Sequence, residues 1–366
     1  MPQPSKSYAP SRITIDTAAL QANYKILKSM VGIACQTAAV VKANAYGTGV
    51  DVAVPALVAD GAEFFYVAQF GEALEVRRYT NAPIAVLGGL PRGAAADFKH
   101  HHITPVLNSP EDIENCPADL PAIWHIDTGM NRLGLPPKEI AALITKSKAA
   151  PLMFMTHFTA SEDTNNPHAE HQVDIFDRCI SQLDERFHII PHSICNSSGV
   201  FRNSSWHRAQ VRPGIALYGA NPTPGLPNPM SPVVKLEAQI LQTRSVKAGE
   251  TAGYNQTYTF PEDTTTATVG LGYADGFLRS GSNKAHFYWF GHPCPIVGRV
   301  SMDLIILDIG KIPSSIPRPQ QGDWLEVLGP HQSVDQLASD LGTIGYEILT
   351  SLSRRAERKL IGIMPQ

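Results

Sequence analysis

The sequence predicts a (β/α)8 barrel followed by a mostly β domain, and two observations carry that reading. Over roughly the first 220 residues, short apolar runs alternate with longer amphipathic ones, the pattern of strand, helix, strand, helix that builds a parallel sheet. The stretch Asn221-Pro-Thr-Pro-Gly-Leu-Pro-Asn-Pro then reads as a linker, and beyond it β-branched and aromatic residues dominate between Gly, Pro and Asp turns.

The candidate barrel strands are 38–42, 63–68, 83–87, 103–107, 121–126, 152–156, 188–192 and 209–215, and the candidate helices are 17–30, 52–60, 70–79, 137–146 and 167–186. Eight strands in so short a chain fit a closed TIM-type barrel better than an open sheet, and chemistry in such a barrel gathers where strands end and loops begin. The second domain has candidate strands at 233–245, 264–271, 285–290, 296–300, 304–309 and 324–328. A helical segment containing Tyr346-Glu-Ile-Leu-Thr and the basic Ser353-Arg-Arg-Ala-Glu-Arg closes the chain. The expected boundaries are 12–232 for the barrel and 233–366 for the β domain, with residues 1–11 as a candidate addition to the latter.

With 366 residues, 43% of them hydrophobic and 17% charged, the chain has enough apolar material for a large core. A net charge of -3 without a Lys or Arg run leaves no electrostatic footprint for nucleic acid or an anionic membrane. No apolar h-region opens the sequence and no run of about 18 apolar residues occurs, so a cytoplasmic location is expected. Cys35, Cys116, Cys179, Cys195 and Cys294 are scattered and odd in number, which suits reduced thiols. The run His100, His101, His102 lacks a spaced partner and reads as a surface turn, so no metal is expected.

Several strand ends carry chemistry-bearing residues. Lys42 ends the first strand, ahead of Asn44, Tyr46 and Gly47; it is either a surface charge or, if buried at a barrel mouth, an amine of lowered pKa suited to imine formation. Asp127-Thr-Gly-Met-Asn-Arg-Leu-Gly follows the fifth strand, either as a capped turn or as a tight loop aiming Arg132 at the mouth. His157 follows the sixth strand and is structural or catalytic. Asn196-Ser197 after the seventh strand, and Arg212-Pro-Gly214-Ile215 after the eighth, fall where barrels build phosphate sites from loop amides and helix starts, though plain capping explains them equally. In the second domain, Tyr273 in a glycine-flanked turn projects into a cleft or packs as an ordinary aromatic; Met302 and Asp303 sit in a β connection.

Together these segments resemble the alanine racemases over essentially the whole length. The matching stretches are Val40-Val-Lys-Ala-Asn-Ala-Tyr-Gly, Asp127-Thr-Gly-Met-Asn-Arg-Leu-Gly, Thr156-His-Phe, Cys195-Asn-Ser-Ser-Gly, Val211-Arg-Pro-Gly-Ile-Ala-Leu-Tyr-Gly, Gly272-Tyr-Ala-Asp-Gly, Gly298-Arg-Val-Ser-Met-Asp and Gly345-Tyr-Glu-Ile-Leu, in the family's order. The resemblance implies interconversion of L- and D-alanine through an external aldimine of pyridoxal 5'-phosphate, with Lys42 and Tyr273 as the two bases. It implies that Lys42 bears the cofactor and that Tyr46, Ser197, Gly214, Ile215 and Tyr346 lie around its phosphate, with Asn196 a further cofactor-binding residue. Arg212 would face the pyridine nitrogen, held by His157, and Arg132 with the Met302 backbone would hold the substrate carboxylate. Because an arginine does not give up its proton, the ring would stay a weak electron sink, which suppresses side reactions. The partner implied is a second copy of the chain, in a head-to-tail homodimer whose subunits share active sites.

One departure is visible. Many relatives carry a carbamylated lysine two residues before the Asp-Thr-Gly-Met motif; His125 stands there, with Asp303 as a further supporting residue. Imidazole cannot hold that carbamate, so Arg132 is to be steadied by a bound anion or another acidic group. Competing functions are a racemase of serine or of broader specificity on the same scaffold, an aldolase or decarboxylase, which the tyrosine base disfavours, and a non-catalytic cofactor-binding barrel, which the intact set of site residues disfavours.

Overall fold

The computed structural model describes residues 8–362. The chain divides into two compact units: Leu20–Ser231, and a second unit that joins the N-terminal segment through Ala19 to the chain from Pro232 onward. Of the candidate addition 1–11, residues 1–7 lie outside the described residues, as do 363–366.

The first unit is a parallel barrel. Its strand segments run, side by side, Gln36–Thr37, Gln210–Val211, His192–Ser193, Pro151–Met155, Ala122–His125, Ile103–Leu107, Ile84–Val86, Phe65–Val67 and Ala39–Val40. The two outermost segments flank Ala38 and are halves of one stave, so the nine segments form eight staves. Alternate amides of that stave bond to opposite neighbours, as a period of two requires. Ala38 and Val40 N–H donate to Val211 and Pro213 O (2.9 and 3.0 Å), while Ala39 and Val41 N–H donate to Phe64 and Tyr66 O (2.9 and 2.8 Å). Those bonds close the wall.

Helix Thr17–Met30 matches the apolar stripe Leu20, Tyr24 and Leu27, all buried, and it starts where Asp16 Oδ1 accepts the Ala19 N–H at 3.0 Å. Three helices of six residues each, Ala95–His100, Pro110–Asn115 and Ser197–Arg202, add to the expected set; they are too short to register a helical period in the sequence. The expected strand 188–192 gives way to a 3-10 turn, Glu185–Phe187, and a two-residue strand, His192–Ser193. Asp184 Oδ1 accepting the Arg186 N–H starts that turn, and Pro191 has no N–H for the ladder. Helix His168–Ser181 therefore stops short of residue 186.

The second unit is a mostly β fold around the 13-residue strand Val234–Val246. Its main sheet runs His292–Pro295, His286–Trp289, Trp324–Leu328, Val234–Val246, Ser11–Asp16 and Glu357–Ile361, and Thr264–Val269 and Ile305–Asp308 extend the pairing from the far half of the long strand. Strand Ser11–Asp16 pairs antiparallel with Val234–Val246 and parallel with Glu357–Ile361, so the N-terminal segment is woven into this unit although barrel sequence follows it directly. The chain end, read from sequence as helical, contains helices Val334–Leu341 and Gly345–Thr350 but then turns into strand Glu357–Ile361. No described helix is long and apolar enough to cross a membrane.

Gly276, at φ +93, ends the short turn Tyr273–Asp275, and a Cβ there would collide with the Ser351 carbonyl. Gly276→Ala should therefore destabilise the protein by about 2 kcal/mol or more, read as a lowered urea midpoint. A wild-type midpoint would show that this loop yields freely.

Candidate active site

At the end of the split stave the chain leaves the barrel wall through Lys42–Tyr46, a single turn in which Ala43, Asn44, Ala45 and Tyr46 all have φ near +52. A left-handed turn of four non-glycine residues is costly and rare. It is held by Ala45 N–H to Val41 O and Gly47 N–H to Ala43 O, both at 2.9 Å, by Val50 N–H to Asn44 Oδ1 (3.0 Å), and by Ala43 N–H to Glu72 Oε1 (2.6 Å). Lys42 at its start is half-buried. Burial, then the charge of Arg132, holds its ammonium pKa below the ordinary value, and Glu72 opposes the shift.

The far end of the same turn meets the last strand. A Cβ on Gly214 would collide with the Tyr46 hydroxyl, so only glycine lets the two approach. Ser197 Oγ accepts the Gly214 and Ala216 N–H groups at 2.9 and 3.3 Å, at the start of the 3-10 turn Ile215–Tyr218. Behind them, Tyr218 stacks on Tyr46 with centroids 4.6 Å apart and donates its hydroxyl to Val40 O. The Tyr46 and Ser197 hydroxyls thus both meet the Gly214 backbone at the end of the turn that Lys42 begins, an arrangement suited to a phosphate. Asn196 precedes Ser197 and orders the local chain. Its Oδ1 caps helix Ser197–Arg202 through Gly199 N–H (3.0 Å) and accepts the Ser161 hydroxyl (2.7 Å).

Arg212 is 4% exposed and has no carboxylate partner among the described residues. Its Nη1 donates to Ser193 Oγ (2.5 Å) and its Nη2 to Thr156 O (2.6 Å). These anchors, rather than the expected hydrogen bond to His157, hold the guanidinium. The Ser193 hydroxyl donates onward to Gln210 O (2.7 Å), so its oxygen is an acceptor toward Arg212. Burial and the neighbouring Arg212 hold the pKa of His157 well below 6.5. His125 is lowered to about 4 by the same two causes in the same order. Asn108 donates its amide hydrogens to Leu87 O and Val106 O, leaving Oδ1 to accept from His125 Nδ1 at 2.8 Å, which assigns the ring proton to Nδ1. Both imidazoles are neutral beside the buried cation.

Arg132 lies in the loop after strand Ala122–His125. Asp127 Oδ1 accepts the Gly129, Met130 and Asn131 N–H groups at 3.0, 2.9 and 3.2 Å, winding the loop into a tight nest. Gly134, at φ +119, lets the loop return against the Asp127 backbone. Arg132 is exposed and makes no hydrogen bond or ion pair among the described residues, yet its charge reaches Lys42, His125 and His157. Lys42, Arg132, His125, His157 and Arg212 therefore share one electrostatic neighbourhood.

In the second unit, the turn bearing Tyr273 packs backbone to backbone on the connection bearing Met302. Tyr273 and Ala274 N–H donate to Ser301 and Met302 O (3.1 and 3.0 Å), and Gly272 leaves no room for a Cβ against Met302 O. Tyr273 and Met302 are 44% and 54% exposed. Arg355 ties the pair together, with Nη2 2.8 Å from Asp303 Oδ1 and Nε 3.3 Å from Asp275 Oδ1. Arg355 and Asp275 do not stand out in the sequence; only their places in the basic closing segment and the Gly-Tyr-Ala-Asp-Gly stretch hint at them. Tyr346 is exposed on helix Gly345–Thr350. His101 and His102 lend carbonyls to Arg77 (3.3 and 2.8 Å), and no three metal-ligating side chains cluster among the described residues. Burial raises all five thiols, Cys35, Cys116 and Cys179 to about 11 and Cys195 and Cys294 to about 12, which keeps them protonated and unreactive.

Residues 15–222 match the alanine racemase N-terminal domain and residues 233–360 the alanine racemase C-terminal domain. The alanine racemase of Rhodospirillum rubrum is 40% identical, over 97% of each chain, and the catabolic alanine racemase of Mesorhizobium japonicum is 41% identical, over 98% of this chain and 95% of that one. The crystal structure of the Bartonella henselae alanine racemase with covalently bound pyridoxal phosphate superposes with a TM-score of 0.90 at 40% identity, covering 96% of this chain and 100% of that one.

The depressed histidines have a consequence for stability. Above pH 6.5 His125 is neutral folded or unfolded; as pH falls from 6.5 toward 4 the unfolded chain takes up a proton that the folded one refuses, and stability drops by about 3 kcal/mol. His157 acts with the same sign. In His125→Gln, urea-unfolding free energy should fall less steeply across that window. Slopes identical to wild type would show that His125 titrates normally in the fold.

Proposed function

The chain belongs to the alanine racemase family, a pyridoxal phosphate-dependent isomerase, and from that membership we propose how its own residues serve the reaction. Its activity is the interconversion of L- and D-alanine. The observation that carries the reading is the left-handed turn 42–46, which presents a primary amine of lowered pKa at one end and, at the other, the Tyr46 hydroxyl against Gly214.

These residues fit the cofactor. Lys42 Nζ would hold the cofactor as an imine, the carbonyl oxygen leaving as water, and Tyr46, Ser197 and the amides at Gly214 and Ile215 would hold its phosphate, with Tyr346 as a further residue for the same group. The buried guanidinium of Arg212, surrounded only by neutral partners, suits an anionic ligand and offers an N–H to the ring nitrogen. Once bound, the cofactor withdraws electrons from the substrate so that the Cα–H becomes acidic. Arg212 keeps its proton, and the neutral states of His157 and His125 add no second charge beside it. Arg132 and the Met302 backbone bind the substrate carboxylate and fix which Cα face each base meets. Lys42 Nζ takes the Cα proton of D-alanine and Tyr273 Oη that of L-alanine, each returning it from its own face in the opposite direction.

Tyr273 and Met302 belong to the site of another copy of this chain in a head-to-tail homodimer, which accords with the exposure of both side chains. Lys42→Ala should lose the imine absorbance band. Tyr273→Phe should keep the band and lose about 100-fold or more of the racemisation rate, followed by circular dichroism of L-alanine. An active monomer would contradict the shared site. Comparable rates on L-alanine, L-serine and L-lysine would contradict alanine specificity.

A further inference from the structure

Each left-handed residue after Lys42 costs about 1 kcal/mol or more relative to right-handed backbone. Such a turn persists only where its surroundings over-determine it. Its middle and end are held by bonds within the turn and by Asn44. Its first amide, that of Ala43, is directed elsewhere, to Glu72 Oε1 at 2.6 Å. The other oxygen of the same carboxylate, Oε2, accepts the N–H groups of Ala68 (2.8 Å) and Gln69 (3.1 Å), at the entry of helix Phe70–Arg77. One side chain therefore ties the turn bearing the amine to the end of the next strand, Phe65–Val67, and to the helix that follows.

We propose that Glu72 is a positioning residue for Lys42: its carboxylate ties the strained turn, through one amide hydrogen bond to Ala43, to the amides of Ala68 and Gln69 at the entry of the next helix, and places a negative charge near the amine. The inference rests on the reading that Lys42 bonds the cofactor. A residue that merely capped a helix would need only the two amides at its own N-terminus. The third bond crosses 29 residues of sequence to reach the position next to Lys42. The charged groups acting on the amine are Arg132, from the loop after strand Ala122–His125, and Glu72, the acidic one of the two; His157, from the end of strand Pro151–Met155, shares the neighbourhood as a neutral imidazole.

The test follows capture of pyridoxal phosphate by the apoprotein, read as growth of the imine band across pH. Glu72→Gln preserves size but turns one acceptor oxygen into a donor and removes the charge. It should slow capture about tenfold, the cost of a lost charged hydrogen bond, and move the pH midpoint down by roughly half a unit to one unit. Glu72→Asp keeps the charge on a shorter stem; it should keep the wild-type midpoint while capturing slowly, and it carries the test should Glu72→Gln not fold. Ser109→Ala removes another helix cap of the barrel, Ser109 Oγ to Asp112 N–H at 3.1 Å, and should leave both rate and midpoint unchanged. Glu72 variants that lose stability as Ser109→Ala does, with wild-type rate and midpoint, would overturn the proposal. Lys42→Arg separates the two readings: if it still forms the band, the assignment of Lys42 fails, and the role of Glu72 with it.

Discussion

The site depends on a backbone constraint: the chain that leaves the closing stave must wind left-handed for four residues before it can enter the next helix. Closure explains where this happens. The stave 36–40 is hydrogen-bonded on both sides, so its direction is fixed up to Val41, and the turn begins at the next residues. Lys42 thereby emerges at the mouth of the barrel, and Tyr46 is brought back against Gly214. Cradle and amine are set by one strained segment rather than by two independent loops.

Electrostatics follow from that placement. Two arginines near one lysine, one of them fully buried, form a cationic cluster that folding alone does not favour. The protein offsets it with neutral dipoles: the Thr156 carbonyl, the Ser193 hydroxyl and two imidazoles held unprotonated. The arrangement stores binding capacity for an anionic group while keeping Lys42 deprotonated more readily than a surface lysine. His125 is informative here. Its ring is oriented by Asn108 and stays neutral, so it offers Arg132 no negative charge, and Arg132 extends from a loop wound around Asp127 with no carboxylate partner among the described residues.

Much of this is legible in the sequence, and the parts that are not have physical causes. Barrel strands such as Phe65–Val67, Ile84–Val86 and Ala122–His125 are visible because they are buried on both faces and lie in largely apolar runs. The helix Thr17–Met30 is visible because its apolar spacing is regular. Strand Ser11–Asp16 escapes a linear reading, which cannot show that a segment preceding the barrel pairs with strands more than 200 residues later. The seventh strand is expected too early because proline at 191 interrupts the ladder within an apolar stretch. Within the site, Lys42, Arg132, Arg212 and Gly214 stand out through motif context, whereas Glu72, Ser193 and Asn108 do not: each is a common residue type whose role lies in a bond to a backbone or side chain far along the chain. Left-handed turns are likewise silent when no glycine marks them, as in Ala43-Asn-Ala-Tyr.

The proposed role of the turn 42–46 is to deliver one particular amine, that of Lys42, to the cofactor. Borohydride reduction of the holoenzyme, followed by proteolysis and mass spectrometry, fixes the cofactor to whichever lysine holds it. The pyridoxyl mass should appear on the peptide containing Lys42 at about one equivalent per chain. A label on any other lysine, or on none, would contradict the account.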